Sequence, residues 1–257
     1  MPEPPCEAAR AAADRAARRA GVRVRPLESM ADAVGCEQLF REVWQTGAGQ
    51  VPVPADVVRA LIDAGSYVVG AFAADVLLGA CAAVWGPPGS GRLHSHIAGV
   101  RASARGRDVG LALKLDQRAY ALAAGVTEVT WTFDPLISRN AHFNLRKLGG
   151  VADTYLVDHY GPLVDGLNGD DPSDRLLVRW RLDDERTRRA CDDGVVTAVE
   201  GARVPVPPDV EELRRRDPVE AGQWRRSIRE ALAGPLAAGG RLVDFDRVES
   251  AYRLRVS

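Results

Sequence analysis

Hydrophobic and polar positions alternate along the chain in two periods, one typical of strands and the other typical of helices. Alternation at Val22–Pro26 predicts a first strand, and helical spacing from Met30 to Trp44 predicts the helix that follows. A hairpin is predicted where the β-rich segments Tyr67–Phe72 and Val76–Trp85 meet. The remaining predicted elements are a helix at Ala55–Ala64, a strand at Arg92–Val100, a helix at Val109–Ala124, a strand at Glu128–Phe133, a helix at Arg139–Leu148, and strands at Val151–His159 and Leu176–Leu182.

This order predicts an α/β fold of the α+β kind, with a central mixed, mostly antiparallel sheet flanked by helices. We expect an N-terminal helical extension at 1–21, a main domain at 22–182 and a C-terminal extension at 183–257. The first of these has no large apolar residue in its Ala/Arg helix, so a peripheral or frayed helix is expected.

The C-terminal extension is more charged than the main domain. It begins with a polar connector at Asp183–Asp193 and contains candidate strands at Val195–Val199 and Arg203–Val206 and a helix at Glu220–Ala233, and it ends in two strand-like pieces. The pattern fits either a small appended subdomain or an extension of the first sheet.

Composition and charge exclude several classes of function. The 257 residues include 34 basic and 35 acidic side chains, which give a formal net charge of −1. A general nucleic-acid binder needs a basic excess, so no nucleic-acid partner is expected. Charged residues such as Asp75, Arg92 and Asp116 interrupt the apolar runs, so no membrane association is expected. The segment Met1–Pro5 has neither the cationic start nor the apolar stretch of a secretion signal, so a cytoplasmic location is expected. The scattered cysteines (6, 36, 81 and 191) predict no disulfide and fit small buried residues.

The most informative segment is Val100–Leu115, which leaves a strand, crosses an Arg/Gly-rich turn and enters a helix. Backbone N–H groups and the positive end of the helix dipole can hold a pyrophosphate at such a turn. Arg105 and Arg107 can add charge-assisted hydrogen bonds to the phosphate oxygens. The segment matches neither a P-loop nor the three-glycine dinucleotide fingerprint.

These residues resemble a known motif. The run Val100, Arg105, Gly106, Gly110, Ala112 and Leu113 is similar to the acyl-CoA-binding motif of the GNAT acetyltransferases, whose element order matches residues 22–182. Longer runs resemble a subgroup of predicted GNAT proteins that also carry a C-terminal extension: Leu113-Lys114, Gln117-Arg118, Trp131–Leu136, Asn140–Gly149 and Pro172–Arg175. The resemblance implies an N-acyltransferase with acetyl-CoA or another acyl-CoA as donor and a small-molecule amine or amino acid as acceptor.

The resemblance also implies roles for individual positions. The strand backbone at Ala98 and Val100 would pair with the pantetheine amides of the cofactor. Asn140 and Asn144 would flank its sulfur end. The turn that would wrap the pyrophosphate consists of Arg105, Gly106, Arg107, Asp108, Val109 and Gly110.

Two positions depart from the family pattern. Asp108 stands where the motif has glycine, and its carboxylate either repels a phosphate or caps the helix that starts next to it. Leu145 stands four residues before Gly149, where many of these enzymes have the tyrosine that protonates the leaving thiolate. Besides solvent, the candidates to replace that tyrosine are Asn144, His142, Tyr155 and Tyr160.

His94 and His96 are candidate general bases because imidazole titrates near neutral pH. Strand alternation predicts that both share one face with Ala98 and Val100. Asp134, just past the next strand, is a third candidate for the same crevice. Each also has a structural alternative, namely hydrogen bonding within the sheet for the histidines and stabilisation of the Pro135 turn for Asp134.

Other side chains are candidates for contacts with the acceptor. Arg175 could bind a carboxylate of the acceptor or acyl group, or could pair with Asp174 or another acid. Tyr155 is a second candidate for substrate binding. Arg146 and Lys147 could recognise the acceptor or the 3′-phosphate of the cofactor, or could belong to a solvated helix face, which is the expectation for both.

No metal site is expected, because His94 and His96 have no third ligand at useful spacing. Trp131 and Trp180 lie within predicted strands and fit the core.

Other functions stay open. The chain could be a catalytically degenerate acyl-CoA-binding or structural module, or an N-succinyltransferase-like enzyme that uses a larger acyl-CoA. The C-terminal extension could serve as a dimerisation element, which would make the protein a homodimer.

Overall fold

The computed structural model describes residues 5–47, 50–163, 171–194 and 197–256. Contacts divide the chain into two compact units, 1–129 and 130–257. This division differs from the boundaries expected at residues 21 and 182, which stay a prediction. No helix among the described residues is long and apolar enough to cross a membrane.

The first unit contains four helices and four strands in its described part. They are α1 (Pro5–Ala20), β1 (Arg23–Pro26), α2 (Met30–Trp44), α3 (Ala55–Asp63), β2 (Tyr67–Ala73), β3 (Val76–Trp85), β4 (Arg92–Val100) and α4 (Val109–Ala123). The strands lie in the order β1-β2-β3-β4, and each neighbouring pair is antiparallel. The predicted bounds of α2, β3 and β4 are confirmed.

Local sequence explains where α2 begins and which side it buries. Ser29 accepts a hydrogen bond from the Asp32 N–H while Asp32 accepts one from the Ser29 N–H, which is a capping box. The buried side of the helix carries Ala33, Cys36, Leu39 and Phe40, which pack in a core with residues of β2 and β3. The helix therefore covers one face of the sheet of the first unit.

Helix α1 packs along α4. Its buried face consists of alanines: Ala9, Ala12, Ala13, Ala16 and Ala20. Such small side chains let two helices approach closely, and the Arg10–Asp116 ion pair (2.6 Å) joins the same two helices. The expectation of a peripheral or frayed helix is therefore wrong: the absence of large apolar residues is what this packing requires.

The second unit contains the remaining elements, with β5 crossing the boundary between the units. They are β5 (Glu128–Phe133), α5 (Ser138–Ala141), a π-helical segment (His142–Lys147), β6 (Val151–Leu156), β7 (Arg175–Arg181), α6 (Glu185–Asp192), β8 (Ala202–Pro205), α7 (Val210–Arg216), α8 (Pro218–Ala237), β9 (Arg241–Asp246) and β10 (Ala251–Arg255). The strands lie in the order β5-β7-β6-β9-β10-β8. The predicted bounds of β5 are confirmed.

The C-terminal segment extends the sheet of the second unit. Strand β9 pairs with β6 at Ala152–Leu242 and with β10 along its length. Of the two alternatives for this segment, the structure supports the extended sheet. In the predicted strand Val195–Val199, residues 195 and 196 lie outside the described residues, and residues 197–199 form no strand.

Two helices of this segment are absent from the sequence prediction. Helices α6 and α7 consist mainly of charged residues, and each buries only two or three side chains. Their pattern therefore lacks the apolar periodicity that identifies a helix. The region expected as a polar connector is in fact helix α6.

All four cysteines are free thiols. Cys36, Cys81 and Cys191 are buried as expected, whereas Cys6 is exposed on α1. Trp131 and Trp180 meet edge to face with ring centroids 5.7 Å apart, and Trp180 donates to the carbonyl of Leu148. Both tryptophans are buried, which confirms their assignment to the core.

Candidate functional site

The turn between β4 and α4 is anchored at its start. Arg101 donates from Nε to the carbonyl of Leu77 (2.8 Å) and pairs with Glu42. A single 3₁₀ turn at Ala102–Ala104 follows. These contacts fix the point at which the strand becomes the turn.

The rest of the turn has the features that an anion site needs. Gly106 has a φ of +77°, and the space where a side chain would project from it is open among the described residues. Arg105 and Arg107 are exposed. The first N–H groups of a helix have no partner within that helix, so those of α4 can donate to an anion.

Asp108 is the N-cap residue of α4, but its side chain makes no capping hydrogen bond. Its backbone is left-handed, with a φ of +55°, a region that aspartate tolerates better than most residues but glycine adopts most easily. The capping alternative is therefore not observed. The conformation also accounts for the glycine that the family pattern has at this position.

A β-bulge in β4 changes the predicted arrangement of the histidines. Ala82 pairs with Ile97 and Ala83 pairs with Ser95, which leaves His96 as the extra residue. Opposite residues in an antiparallel pair share a face of the sheet. His94 lies opposite Val84 and therefore shares the face of Ala82 and Ile97.

Ala98 and Val100 lie on the other face. They are opposite Cys81 and Gly79, and a Cβ on Gly79 would contact α4. The expectation that His94, His96, Ala98 and Val100 share one face is therefore wrong, because the bulge shifts the alternation by one residue.

The two histidines remain neighbours at the bulge. The ring centroids of His94 and His96 are 6.2 Å apart. Desolvation lowers the pKa of His96 below its ordinary value, so its imidazole is neutral at pH 7 and can accept a proton.

In the second unit, Asp134 is part of a buried ion cluster. Its two carboxylate oxygens each accept a hydrogen bond of 2.8 Å from Arg225, and Oδ2 also accepts one of 2.7 Å from Arg214. The N–H of Leu136 donates to Oδ1. Burial by itself would raise the pKa of Asp134, but the two guanidinium groups lower it well below its usual range. A carboxylate held in this way does not suit a general base, so the structural alternative is the one observed.

A second carboxylate, Asp174, organises the neighbouring turn. Arg229 donates to both of its oxygens, and the Tyr155 hydroxyl donates to Oδ2 at 2.6 Å. Burial and this hydrogen bond raise the pKa of Tyr155 far above its ordinary value, so Tyr155 does not suit the missing general acid.

Arg175 contacts the backbone of Asp174 and the ring of Tyr160. It donates to the Asp174 backbone carbonyl and lies over the Tyr160 ring, with its guanidinium carbon 5.4 Å from the ring centroid. Desolvation lowers its pKa. The Tyr160 hydroxyl in turn lies 2.9 Å from the Thr132 hydroxyl. Arg175, Tyr155 and Tyr160 are thus brought together around one turn.

The two asparagines lie in adjoining helical segments. From His142 onward the helix is a π-helix, a geometry often found at functional sites. Asn144 is buried, and its backbone carbonyl accepts a hydrogen bond from Gly150. Asn140 lies in the preceding helix α5, where its N–H donates to Ile137. Leu145 is fully buried, so a core side chain occupies the position at which many GNAT enzymes have a tyrosine.

Arg146 pairs through two hydrogen bonds of 2.6 Å with Asp244, whose side chain is fully buried. The expectation of a solvated face is therefore wrong for Arg146. Among the described residues, no group of three or more His, Cys, Asp or Glu side chains could hold a metal ion.

The sequence prediction does not include the partners of Asp134 and Asp174, namely Arg214, Arg225 and Arg229. They lie on α7 and α8, and the Asp134–Arg225 pair spans 91 residues of sequence. One signal existed: an arginine among apolar residues at helical spacing, such as Arg225 near Ala221 and Ile228, indicates a buried partner.

Comparison with known proteins bears on the fold. No protein-family model and no curated protein matches the sequence. An acetyltransferase of the GNAT family from Streptococcus pneumoniae is similar in structure, with a TM-score of 0.51 and 13% identity over 62% of this chain and 97% of its own. The chain has the GNAT fold. The fold class expected from the sequence is thereby confirmed.

Two other structures support the assignment of the GNAT fold. An N-acetyltransferase from Staphylococcus aureus Mu50 gives a TM-score of 0.52 at 14% identity, over 63% of this chain and 98% of its own. The protein yncA from Salmonella typhimurium, whose structure contains acetyl-CoA, gives 0.51 at 14% identity over 64% and 95%.

The Asp134 cluster yields a stability prediction. Arg225→Met removes one partner of a buried ion pair and leaves charge behind, so the free energy of unfolding falls by about 3 kcal/mol in urea denaturation at pH 7. Because the pairs lower the pKa of Asp134, their contribution is present above about pH 4, the ordinary carboxyl range, and is lost on further acidification.

The matched control for this variant is Arg139→Met. It breaks the exposed Arg139–Glu211 pair in the same unit and is expected to cost at most about 1 kcal/mol. Equal losses in the two variants would contradict a dominant role for the buried cluster.

The conformation of Asp108 yields a binding prediction. Asp108→Gly removes a negative charge from the turn and suits the positive φ, so CoA binds about fivefold more tightly, measured by isothermal titration. The control Asp75→Asn removes one charge from the exposed β2–β3 turn and leaves affinity unchanged. Weaker binding by Asp108→Gly would refute electrostatic repulsion.

Proposed function

We propose that the chain is an acyl-CoA-dependent N-acyltransferase that acylates the amine of a small molecule or amino acid. The observation that carries the proposal is the turn from β4 to α4, with its open backbone at Gly106 and its exposed Arg105 and Arg107. The GNAT fold and the acetyl-CoA in the similar yncA structure support it. Acetyl is the proposed acyl group, and the cytoplasm is the proposed location.

The residues of the first unit fit an acyl-CoA. The proposed pyrophosphate contacts are the side chains of Arg105 and Arg107 and the first N–H groups of α4, from Val109 and Gly110 onward. The backbone at Ala98 and Val100 would pair with the pantetheine amides. Asp108 is the one unfavourable group, because its carboxylate adds negative charge beside a diphosphate.

Acyl-CoA supplies an acyl group activated as a thioester. The role proposed for this chain is to orient that group on the β4 backbone and to take up the amine proton. His96 is the proposed base, since desolvation lowers its pKa and keeps the ring neutral at pH 7. His94 is the adjacent alternative. Asn140 and Asn144 are proposed to flank the sulfur end of the cofactor, as the resemblance implies.

Arg175 is proposed to contact the acceptor. Its guanidinium is held against the Tyr160 ring, and a held guanidinium can bind a carboxylate through two parallel hydrogen bonds. A dicarboxylic acyl group such as succinyl could use the same side chain.

A second candidate function is a catalytically degenerate acyl-CoA-binding module. The observation that favours it is the buried Leu145 in the place of the family's tyrosine. Such a module would bind acyl-CoA without turnover.

The test combines binding with turnover. Acetyl-CoA and succinyl-CoA are added separately in thermal denaturation, where a ligand at about 100-fold excess over its Kd stabilises the protein by about 2.7 kcal/mol. CoA release is then followed across a panel of amines. The variant Arg105→Ala/Arg107→Ala loses the stabilisation, whereas the control Arg203→Ala, at an exposed arginine of β8, keeps it. If the protein binds an acyl-CoA but releases no CoA with any amine, the second candidate function is favoured. If neither acyl-CoA binds, both candidate functions are contradicted.

The role of His96 is tested by the pH dependence of kcat/KM. Because desolvation lowers the pKa of His96 below its ordinary value, activity falls only at acidic pH, where the ring becomes protonated. His96→Gln lowers the rate about 100-fold and removes this acidic limb. An unchanged limb in His96→Gln would assign it to another group, and the parallel variant His94→Gln tests the adjacent histidine.

A further inference from the structure

Four buried polar side chains of the first unit form a closed ring of contacts. Lys114 donates from Nζ to Ser95 Oγ (2.8 Å) and to Gln117 Oε1 (3.0 Å). Gln117 donates from Nε2 to Cys81 Sγ (3.4 Å), and Cys81 Sγ lies 3.8 Å from Ser95 Oγ. The ring therefore links strands β3 and β4 to helix α4.

Each of these side chains is at most 5% exposed. The directions of the hydrogen bonds are compatible. Lys114 donates to both Ser95 and Gln117, and each of these residues can in turn donate to the Cys81 sulfur. A fully satisfied network of this kind holds its members in one geometry.

The ring is located directly at the bulge of β4. Ser95 is the residue before His96, the extra residue of the bulge, and it is opposite Ala83 in β3. The extra residue of a bulge is left out of the ladder of strand hydrogen bonds. The position of His96 thus depends on what holds its neighbours, and Lys114 is the group that holds Ser95.

A lysine is a costly choice for this position. Transfer of an ammonium group into the core carries a desolvation penalty that a methionine or leucine of similar size would avoid. Burial lowers the pKa of Lys114 to about 8. Lys114 and Gln117 also belong to the sequence runs that resemble the GNAT subgroup, yet neither has a role in the mechanism proposed above.

We propose that Lys114 and Gln117 are positioning residues for acyl transfer. Lys114 holds Ser95 and Gln117 holds Lys114, and together they fix the β4 bulge that carries His96. The proposal rests on the proposed function, since it takes the bulge as the place where the acyl group is oriented. Neither residue is assigned a contact with the substrate.

Two variants open the ring and one serves as a matched control. Lys114→Met removes the donor with little change in volume, and Ser95→Ala removes only the hydroxyl, which keeps the proposal testable if Lys114→Met does not fold. Tyr67→Phe is the control: it deletes a buried hydroxyl whose hydrogen bonds go to the same helix α4, to Asp116 (2.8 Å) and to the Leu113 carbonyl (3.3 Å).

The first measurement is amide hydrogen exchange over residues 92–100 in the protein without ligand. Both ring variants exchange about tenfold faster there than Tyr67→Phe. Exchange no faster than in the control overturns the proposal, whatever the protein catalyses.

The second measurement separates kcat from KM with an amine that the wild-type protein acylates. Both ring variants lose about 100-fold in kcat, while KM for acyl-CoA changes less than about twofold, because misplacement affects the reacting geometry more than binding. The double variant is no slower than the slower single variant, because both changes break the same Lys114–Ser95 hydrogen bond. A matching loss of kcat in Tyr67→Phe, or independent additive losses, overturns the proposal.

The two proposals fail in distinguishable ways. If the wild-type protein binds no acyl-CoA, the proposed function fails, while the exchange experiment still reports whether the ring fixes the bulge. If the wild-type protein is active and the ring variants keep its kcat, only the positioning role fails.

Discussion

The buried carboxylate of Asp134 is the constraint on which the second unit depends. A charge removed from water costs several kcal/mol unless it is paired and hydrogen-bonded. Here the compensation comes from Arg214 and Arg225 on two C-terminal helices. The end of β5 therefore cannot keep its native environment unless α7 and α8 fold with it. Asp174 with Arg229 and Asp244 with Arg146 repeat the same principle, so the C-terminal segment is an integral part of the unit.

In the first unit the corresponding constraint is the close packing of α4 against the alanine-rich helix α1 and the bulged strand β4. Alanines of α1 cover α4, while Lys114 on α4 reaches Ser95 of β4 and Gln117 on α4 reaches Cys81 of β3. The bulge at His96 interrupts the alternation of β4. His94 and Ala98, which would share a face in a regular strand, therefore lie on opposite faces of the sheet. The geometry proposed for acyl transfer therefore depends on one extra residue.

The regular elements were predictable because their signals are local. Ser29 and Asp32 mark the start of α2, and apolar alternation marks β5. Prediction failed where the pattern is polar or irregular. Helices α6 and α7 have few apolar residues, and β6 ends at Leu156 because the backbone turns near Asp158, whose φ is +46°. The turn at Arg105–Gly110 was recognised, but its most informative feature, the left-handed backbone of Asp108, is not a pattern of residue types.

The sequence by itself determined the order of elements, the candidate anion-binding turn and the resemblance that led to the GNAT fold, because each depends on residues within a few positions of one another. Only the tertiary structure decided that Asp134 forms ion pairs with Arg214 and Arg225, that His94 and Ala98 lie on different faces, and that Lys114 donates to Ser95. These outcomes depend on contacts between distant residues, such as the 91 positions from Asp134 to Arg225, and on a one-residue irregularity in pairing. Local propensity does not encode such contacts. They form because every charge and hydrogen-bonding group that is buried away from water needs a partner.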